Sequence, residues 1–413
     1  MKMTYEGALA YIHGAHRTGK KNGLENMAHL LGLLGDPHRA LRAIHVAGTN
    51  GKGSVCAFVE AGLRRAGYRT GLYTSPFLQR YNERMRVDGM PIADDTLAEL
   101  TGRVAEAAET LAARDIFPTE FELGTAIAFL YLAEACVDIA VIEVGLGGRL
   151  DPTNVLHPMI CAIAAIGLDH TGILGDTPVQ IAREKAGIAK RGVPMLVSAQ
   201  NTEPVLSVIR RECEAVGAPM AVAEPVRDVS LGLRGAHQAF NAGLAVAVLQ
   251  AADRAGLAVP EDAIALGLRE ARWPGRLEWI EGSPPYLLDG AHNEQGVLSL
   301  KAYAQSLPSR ETVLICGILR DKDWRTMARS LADIADRVIT VRVDNLKAVP
   351  AEVLAQAFMD AGKRADPAPS VREALADAAS IAGMSGRVLI AGSLYLVGEA
   401  RTLLLGMESS MNQ

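Results

Sequence analysis

The sequence predicts a two-domain α/β protein with mostly parallel sheets, and three observations lead there. Short apolar, β-branched runs alternate with longer helical patterns along most of the chain. Those runs are apolar throughout rather than alternating, as strands buried on both faces are. The length, 413 residues, exceeds the roughly 250 to 300 residues at which single cores stop growing, so two domains are expected.

In chain order, RAIHVAG (42 to 48) reads as a strand, a helix follows from about Ser54 to Gly67, and RTGLYT (69 to 74) reads as the next strand. This is a βαβ unit, which implies a parallel sheet covered by helices. DIAVIEVG (138 to 145), MICAIAAIG (159 to 167) and VPMLVSA (193 to 199) continue the pattern, each bounded by Gly, Pro or Asp. The stretch EGSPP (281 to 285) interrupts two strand-like runs, LEWI and YLLDG. A domain boundary is expected there, giving domains 1 to 281 and 286 to 413. ETVLICGIL (311 to 319), RVITVRV (337 to 343) and GRVLIAG (386 to 392) then outline a smaller α/β domain. No internal repeat or low-complexity tract is visible.

Composition narrows the function. Apolar residues make up 49%, charged residues 22% and aromatics 5%, the balance of an ordinary globular α/β chain and not of a disordered or collagenous one. A net charge of −5 argues against a nucleic-acid partner, which calls for a basic domain, yet allows a local basic pocket for a small anion. The five cysteines never form a CxxC pair, so neither a disulfide framework nor a thiolate zinc site is suggested. The opening residues lack the features of a secretory leader, and no apolar run approaches a membrane span. A reducing cytosol is the expected compartment.

The most informative stretch is AIHVAGTNGKGSVCAFVEAGLRRAG, which reads as strand, glycine-rich turn and helix. Glycines let backbone N–H groups approach phosphate oxygens, the helix N-terminus favours negative charge, and a lysine neutralises terminal phosphates. Asn50, Gly51, Lys52, Gly53 and Ser54 are the expected triphosphate contacts, with the Ser54 hydroxyl available to a magnesium ion. The general phosphate-loop pattern is shifted here: Val46 stands where its first glycine would be, and Gly53 where its hydroxyl would be. Alone, the loop indicates a nucleoside triphosphate and leaves the acceptor open.

GTNGKGS (48 to 54), with its displaced hydroxyl, resembles the loop of the folylpolyglutamate synthase and dihydrofolate synthase family within the Mur ligase superfamily. YTSPFLQRYNERMRVDG (73 to 89), TEFELGTAIAF (119 to 129), VIEVGLGGRLDPTN (141 to 154), LDHTGILG (168 to 175) and EKAGI (184 to 188) follow in the family's order. HQAFNA (237 to 242), WPGRLE (273 to 278), LDGAHN (288 to 293), DKD (321 to 323) and GSLYLVGE (392 to 399) continue it, so the resemblance covers nearly the whole chain. It implies a P-loop Mur-ligase-like domain followed by a smaller Rossmann-like domain. It also implies a cytoplasmic, monomeric, ATP- and magnesium-dependent ligase that joins L-glutamate to dihydropteroate, to reduced folates, or to both. The implied route is an acyl phosphate on the acceptor carboxylate, attacked by the glutamate amine.

The same resemblance assigns roles. Ser54, Glu143 and His170 match magnesium-holding positions, for an expected pair of ions, and Lys185 matches a lysine carried as its carbamate (N6-carboxylysine). Asn241, Arg276 and Asp289 match nucleotide contacts, His292 and Ser393 face the incoming glutamate, and Lys52, Lys185, Asp289 and His292 form the expected catalytic set. The acceptor falls to Gly23 and Leu24, Thr119 to Glu122 (with Glu120 and Phe121), and Leu150, Asp151 and Pro152. Read from the residues alone, several keep a plainer alternative. Lys185 lies in VQIAREKAGIAKRG, which also reads as a solvated basic face. His170 also reads as a hydrogen-bonded structural histidine, since magnesium prefers oxygen. Phe121 also reads as core, Arg276 as a salt-bridge partner, and DGAHN as an ordinary turn. A Mur-type ligase acting on another acceptor, or a P-loop protein without ligase activity, are the rival functions. The first would normally need a further domain before the phosphate loop, and only about 45 residues precede it here.

Overall fold

The structure, a computed structural model, describes residues 3–15 and 23–407 and contains two compact units. The first comprises 1–77, 81–232 and 239–271; the second comprises 78–80, 233–238 and 272–413. In the first, β1 (Ala43–Ala47), β2 (Thr70–Tyr73), β3 (Met85–Val87), β4 (Met90–Pro91), β5 (Ile139–Glu143), β6 (Ile160–Ile163), β7 (Met195–Ser198) and β8 (Met220–Ala223) form one sheet. Its order is β4-β3-β2-β5-β1-β6-β7-β8. Pairings from β2 across to β8 are parallel, while β2, β3 and β4 meet antiparallel. Every residue of β1, β5 and β6 is buried, as the uniformly apolar runs anticipated.

The helix Lys52–Arg65 connects β1 to β2, closing the βαβ unit read from sequence. Its partner, the helix Glu261–Glu270, approaches so closely that a Cβ on Gly267 would stand 2.5 Å from Gly62 Cα. Two glycines at the crossing let the backbones meet where side chains would hold them apart.

In the second unit β9 (Glu278–Ile280), β10 (Tyr286–Asp289), β11 (Thr312–Cys316), β12 (Arg337–Val341), β13 (Arg364–Ala368) and β14 (Arg387–Ala391) form a sheet in the order β13-β12-β11-β14-β10-β9. Only β9 runs antiparallel to its neighbour. This corrects the expected boundary at 281 to 286. EGSPP is the turn of the β9–β10 hairpin inside the second unit, with Tyr286 opposite Ile280, and the long segment of that unit begins at Arg272. Gly and Pro serve a hairpin turn as well as a linker, so composition alone did not separate them.

Candidate active site

In the first unit, Val46 on β1 lies in register with Glu143 on β5, so the phosphate loop and the carboxylate emerge at the same carboxyl edge, where open α/β sheets bind ligands. The loop is pinned before the helix starts: the Thr49 and Asn50 N–H groups both donate to the Ala165 carbonyl, at 2.8 and 3.1 Å, and the Thr49 hydroxyl donates to Gly167 O at 3.1 Å. Gly51 has φ +86°, and any side chain there would collide with the Asn241 amide. Left-handed backbone and close approach both require glycine. Lys52 Nζ donates to Thr49 O at 3.3 Å and stands 3.8 Å from Glu143 Oε1. The other oxygen of Glu143 accepts the Ser75 N–H at 3.2 Å. Ser54, Glu143 and Asn241 are all buried.

Lys185 joins this group. It lies on the helix Pro178–Ala186, whose start carries a Thr177–Gln180 capping box, and it is 4% exposed. Burial, with the Lys52 charge nearby, lowers its pKa to about 7, against the opposing pull of Asp169, Asp151 and Glu143. The solvated-face reading therefore fails for Lys185, though it describes Arg183, whose side chain is 66% exposed. The glycine run after Glu143 meets the same helix: Arg149 N–H donates to Glu184 O at 2.9 Å, and a Cβ on Gly148 would be 2.7 Å from the Lys185 carbonyl. His170 sits in left-handed backbone at φ +50° with its side chain half exposed, while the neighbouring Asp169 carboxylate is buried, 3.8 Å from the ring.

The residues expected on the acceptor side differ in what they do. Thr119 and Glu122 cap the helix Glu120–Glu134 reciprocally: Thr119 N–H donates to Glu122 Oε2 at 2.7 Å, and Glu122 N–H to Thr119 Oγ1 at 3.3 Å. Glu120 pairs with His13 at 3.1 Å. The tip of the Phe121 ring comes so close to Gly145 that no side chain would fit there, and the Arg84 guanidinium sits 5.7 Å from the ring centre. Gly23 and Leu24 are partly buried, and Leu150 is exposed. Pro152 opens a short 3-10 turn behind Asp151, which is 2% exposed and turned inward.

Arg276, Asp289, His292 and Ser393 belong to the second unit. Asp289 ends β10 and accepts the Leu277 and Ala291 N–H groups, each at 2.9 Å. Burial raises its pKa against the pull of Arg276. Gly275 N–H donates to Glu278 at 2.8 Å, and Arg401 grips both Glu278 oxygens at 3.0 Å, which fixes the turn that carries Arg276. His292 Nδ1 faces Gly290 O at 2.8 Å, so it carries the proton. Ser393 caps the helix Leu394–Leu405, accepting Leu396 N–H at 3.2 Å.

Ser75 and Asp169 escaped the sequence reading as individual site residues. Both stand in segments whose pattern was noticed, YTSPF and LDH, but their meeting with Glu143 and Lys185 comes from the fold and not from spacing.

A family model described as the Mur ligase glutamate ligase domain matches residues 275–394. The Bacillus subtilis dihydrofolate synthase/folylpolyglutamate synthase is 37% identical over 97% of this chain and 99% of its own length. Among solved structures, a Mycobacterium tuberculosis folylpolyglutamate synthase complexed with ADP superposes with TM-score 0.91 at 30% identity, covering 98% of this chain and 99% of that one. E. coli FolC in complex with DHPP and ADP gives 0.88 at 30% identity, covering 98% of each chain.

Proposed function

Since the chain belongs to the dihydrofolate synthase/folylpolyglutamate synthase family, we propose that it ligates L-glutamate to both dihydropteroate and reduced folates, with ATP as the activating co-substrate. The observation that carries the ATP-dependent step is the cluster at the carboxyl edge of β1 and β5, Lys52 beside Glu143 at 3.8 Å with buried Lys185 responding to both charges; the dual acceptor follows the Bacillus subtilis relative, whose name carries both activities. Amide formation from a carboxylate requires its oxygen to be made a leaving group, and phosphorylation by ATP does this. Two anions, acceptor and triphosphate, must first be brought together and aligned. Lys52, the backbone amides of the loop and the start of the helix Lys52–Arg65 neutralise the phosphates; Asn241 closes the loop from behind.

Glu143 supplies a buried carboxylate and Ser54 a buried hydroxyl, hard oxygens that suit magnesium, with Asp169 and His170 on the turn after β6, although among the described residues no three His, Cys, Asp or Glu side chains converge as a metal-holding group. Bound there, magnesium would add positive charge against the transferring phosphoryl group. Ser54, Glu143 and His170 are the residues assigned to hold it, as two ions. Lys185 is assigned a carbamate. Its lowered pKa supplies the neutral amine that adds CO₂, and the product would present an anion toward Lys52. Arg276 and Asp289 are assigned to the nucleotide, and His292 and Ser393 to glutamate. Gly23, Leu24, Phe121 and Leu150 are assigned to the acceptor. Asp151, Thr119 and Glu122 support those contacts through the backbone. Among the described residues no helix is long and apolar enough to cross a membrane, and we place the enzyme in the cytoplasm.

The test is ADP release with Mg²⁺-ATP and L-glutamate in the presence of dihydropteroate, tetrahydrofolate or neither. Turnover with each acceptor and none without is the expected result. Turnover with one alone would remove the dual assignment, and acceptor-independent hydrolysis would overturn the folate reading. Labelling with ¹³C-bicarbonate followed by NMR should give a carbamate resonance that vanishes in Lys185→Arg.

A further inference from the structure

His45 lies on β1, just before the phosphate loop, with no solvent exposure. It is well placed to be mistaken for part of that loop's support, yet its hydrogen bond runs elsewhere. Nε2 meets Thr153 Oγ1 at 2.8 Å, and the Thr153 hydroxyl meets Asp151 Oδ1. Asp151 Oδ1 also accepts the Thr153 N–H at 3.0 Å, and its Oδ2 accepts the Leu146 N–H at 2.8 Å.

Proton inventory fixes the direction of this chain. Each Asp151 oxygen accepts a backbone N–H, from Leu146 and from Thr153, which favours the ionised carboxylate, and the Thr153 hydroxyl donates to it as well. The Thr153 hydroxyl therefore gives its single proton to Asp151, and its oxygen must receive the proton of His45 Nε2. The imidazole is thereby held in the Nε2–H form, and Nδ1, which has no hydrogen-bond partner among the described residues, is the bare nitrogen. The far end of the relay is the backbone of Leu146, in the glycine run between Glu143 and Leu150 that packs on the Lys185 carbonyl.

We propose that His45 is a positioning residue which, through Thr153 and Asp151, sets the 145–151 loop against Lys185, and that it governs use of the acceptor and not of ATP. This rests on the ligase reading above. Removing the Thr153 hydroxyl takes a donor from the buried carboxylate, and removing His45 takes away the donor that holds that hydroxyl in line; either way the loop shifts to find others. Displacement of a positioning loop of this kind costs about tenfold to a hundredfold in rate.

Four single variants and one double variant test it. His45→Leu and Thr153→Val should each lower kcat/KM for the folate acceptor about tenfold to a hundredfold while KM for ATP stays near the parent value. The double variant should be no worse than the poorer single, because both cut one path. Thr153→Ser, which keeps the hydroxyl, should recover most of the loss, and His45→Gln, whose amide nitrogen reaches close to the Nε2 position, part of it. A rise in KM for ATP in His45→Leu, or a Thr153→Val enzyme indistinguishable from the parent, would overturn the proposal. Should His45→Leu fail to fold, the Thr153 pair decides alone. If the parent protein turns over no folate acceptor, the ligase reading fails independently. In that case ¹⁵N NMR of the imidazole still judges the relay: a proton on Nε2 supports it, and a proton on Nδ1 refutes it.

Discussion

Glu143 and Lys52 show what one pair of side chains can be asked to do. Replacing Glu143 by Gln, or Lys52 by Ala, removes a fixed charge from the site proposed for phosphoryl transfer, and a loss of about 10²- to 10³-fold in kcat is expected, measured by ADP release in enzyme whose unfolding curve is unchanged. A second residue-scale prediction concerns acid. Burial lowers the pKa of His45 to about 3, and burial together with Arg276 lowers that of His237 to about 4. Both stay neutral in the folded chain but bind a proton below about pH 6.5 when unfolded, so the unfolded state holds more protons and stability falls as pH drops from about 6.5 toward 4. The slope reaches roughly 1.4 kcal/mol per pH unit for each group. Buried Asp151 and Asp289, whose pKa values burial raises, oppose this trend in the more acid part of the range. Denaturant titrations at several pH values should show the decline, and His45→Gln should flatten it. Lys52 and Glu143 were legible in the sequence because loop chemistry and strand ends constrain them locally. The burial of Lys185 among flanking cations, and the inward turn of Asp151, depend on packing across the sheet and were not.

At the scale of elements, glycines decide where helices can go. Gly267→Ala places a methyl group 2.5 Å from Gly62 Cα at the crossing of the helices Lys52–Arg65 and Glu261–Glu270. Overpacking of this sort costs about 1 to 3 kcal/mol, readable as a lower midpoint in chemical unfolding. Because the displaced helix starts at the phosphate loop, KM for ATP should rise as well. A Gly148→Ala change meets the Lys185 carbonyl instead and should leave KM for ATP alone while lowering kcat. The buried central strands were readable from their apolar runs, and the helix Lys52–Arg65 from the glycine-rich turn before it, whereas β3 and β4 are too short, and β8 and β13 too exposed, to give such a run. The β9–β10 hairpin was not, because its turn shares the composition of a linker.

The molecule as a whole is interleaved: residues 78–80 and 233–238 are spent on the second unit although both neighbouring stretches belong to the first. Gln79 is buried against Thr402 at 2.8 Å and also meets Arg401. A fragment of residues 272–413 would lack these segments, leaving Arg401 and Glu278 without part of their surroundings. It should unfold at lower denaturant than the same unit in the full chain, with hydrogen exchange as the measurement. No reading of the linear sequence exposes such interleaving, since nothing in Leu78–Arg80 differs in kind from the residues around it. The register of β1 against β5, Val46 beside Glu143, carries a consequence for how such a chain can change over generations. A strand displaced by one residue presents its side chains to the opposite face, which would carry the Glu143 carboxylate away from Lys52. Point substitutions in these strands can be absorbed one methyl group at a time, whereas a single inserted or deleted codon cannot. Length variation among descendants of this sequence is therefore confined to the loops, and the strands flanking the phosphate loop keep a constant residue count.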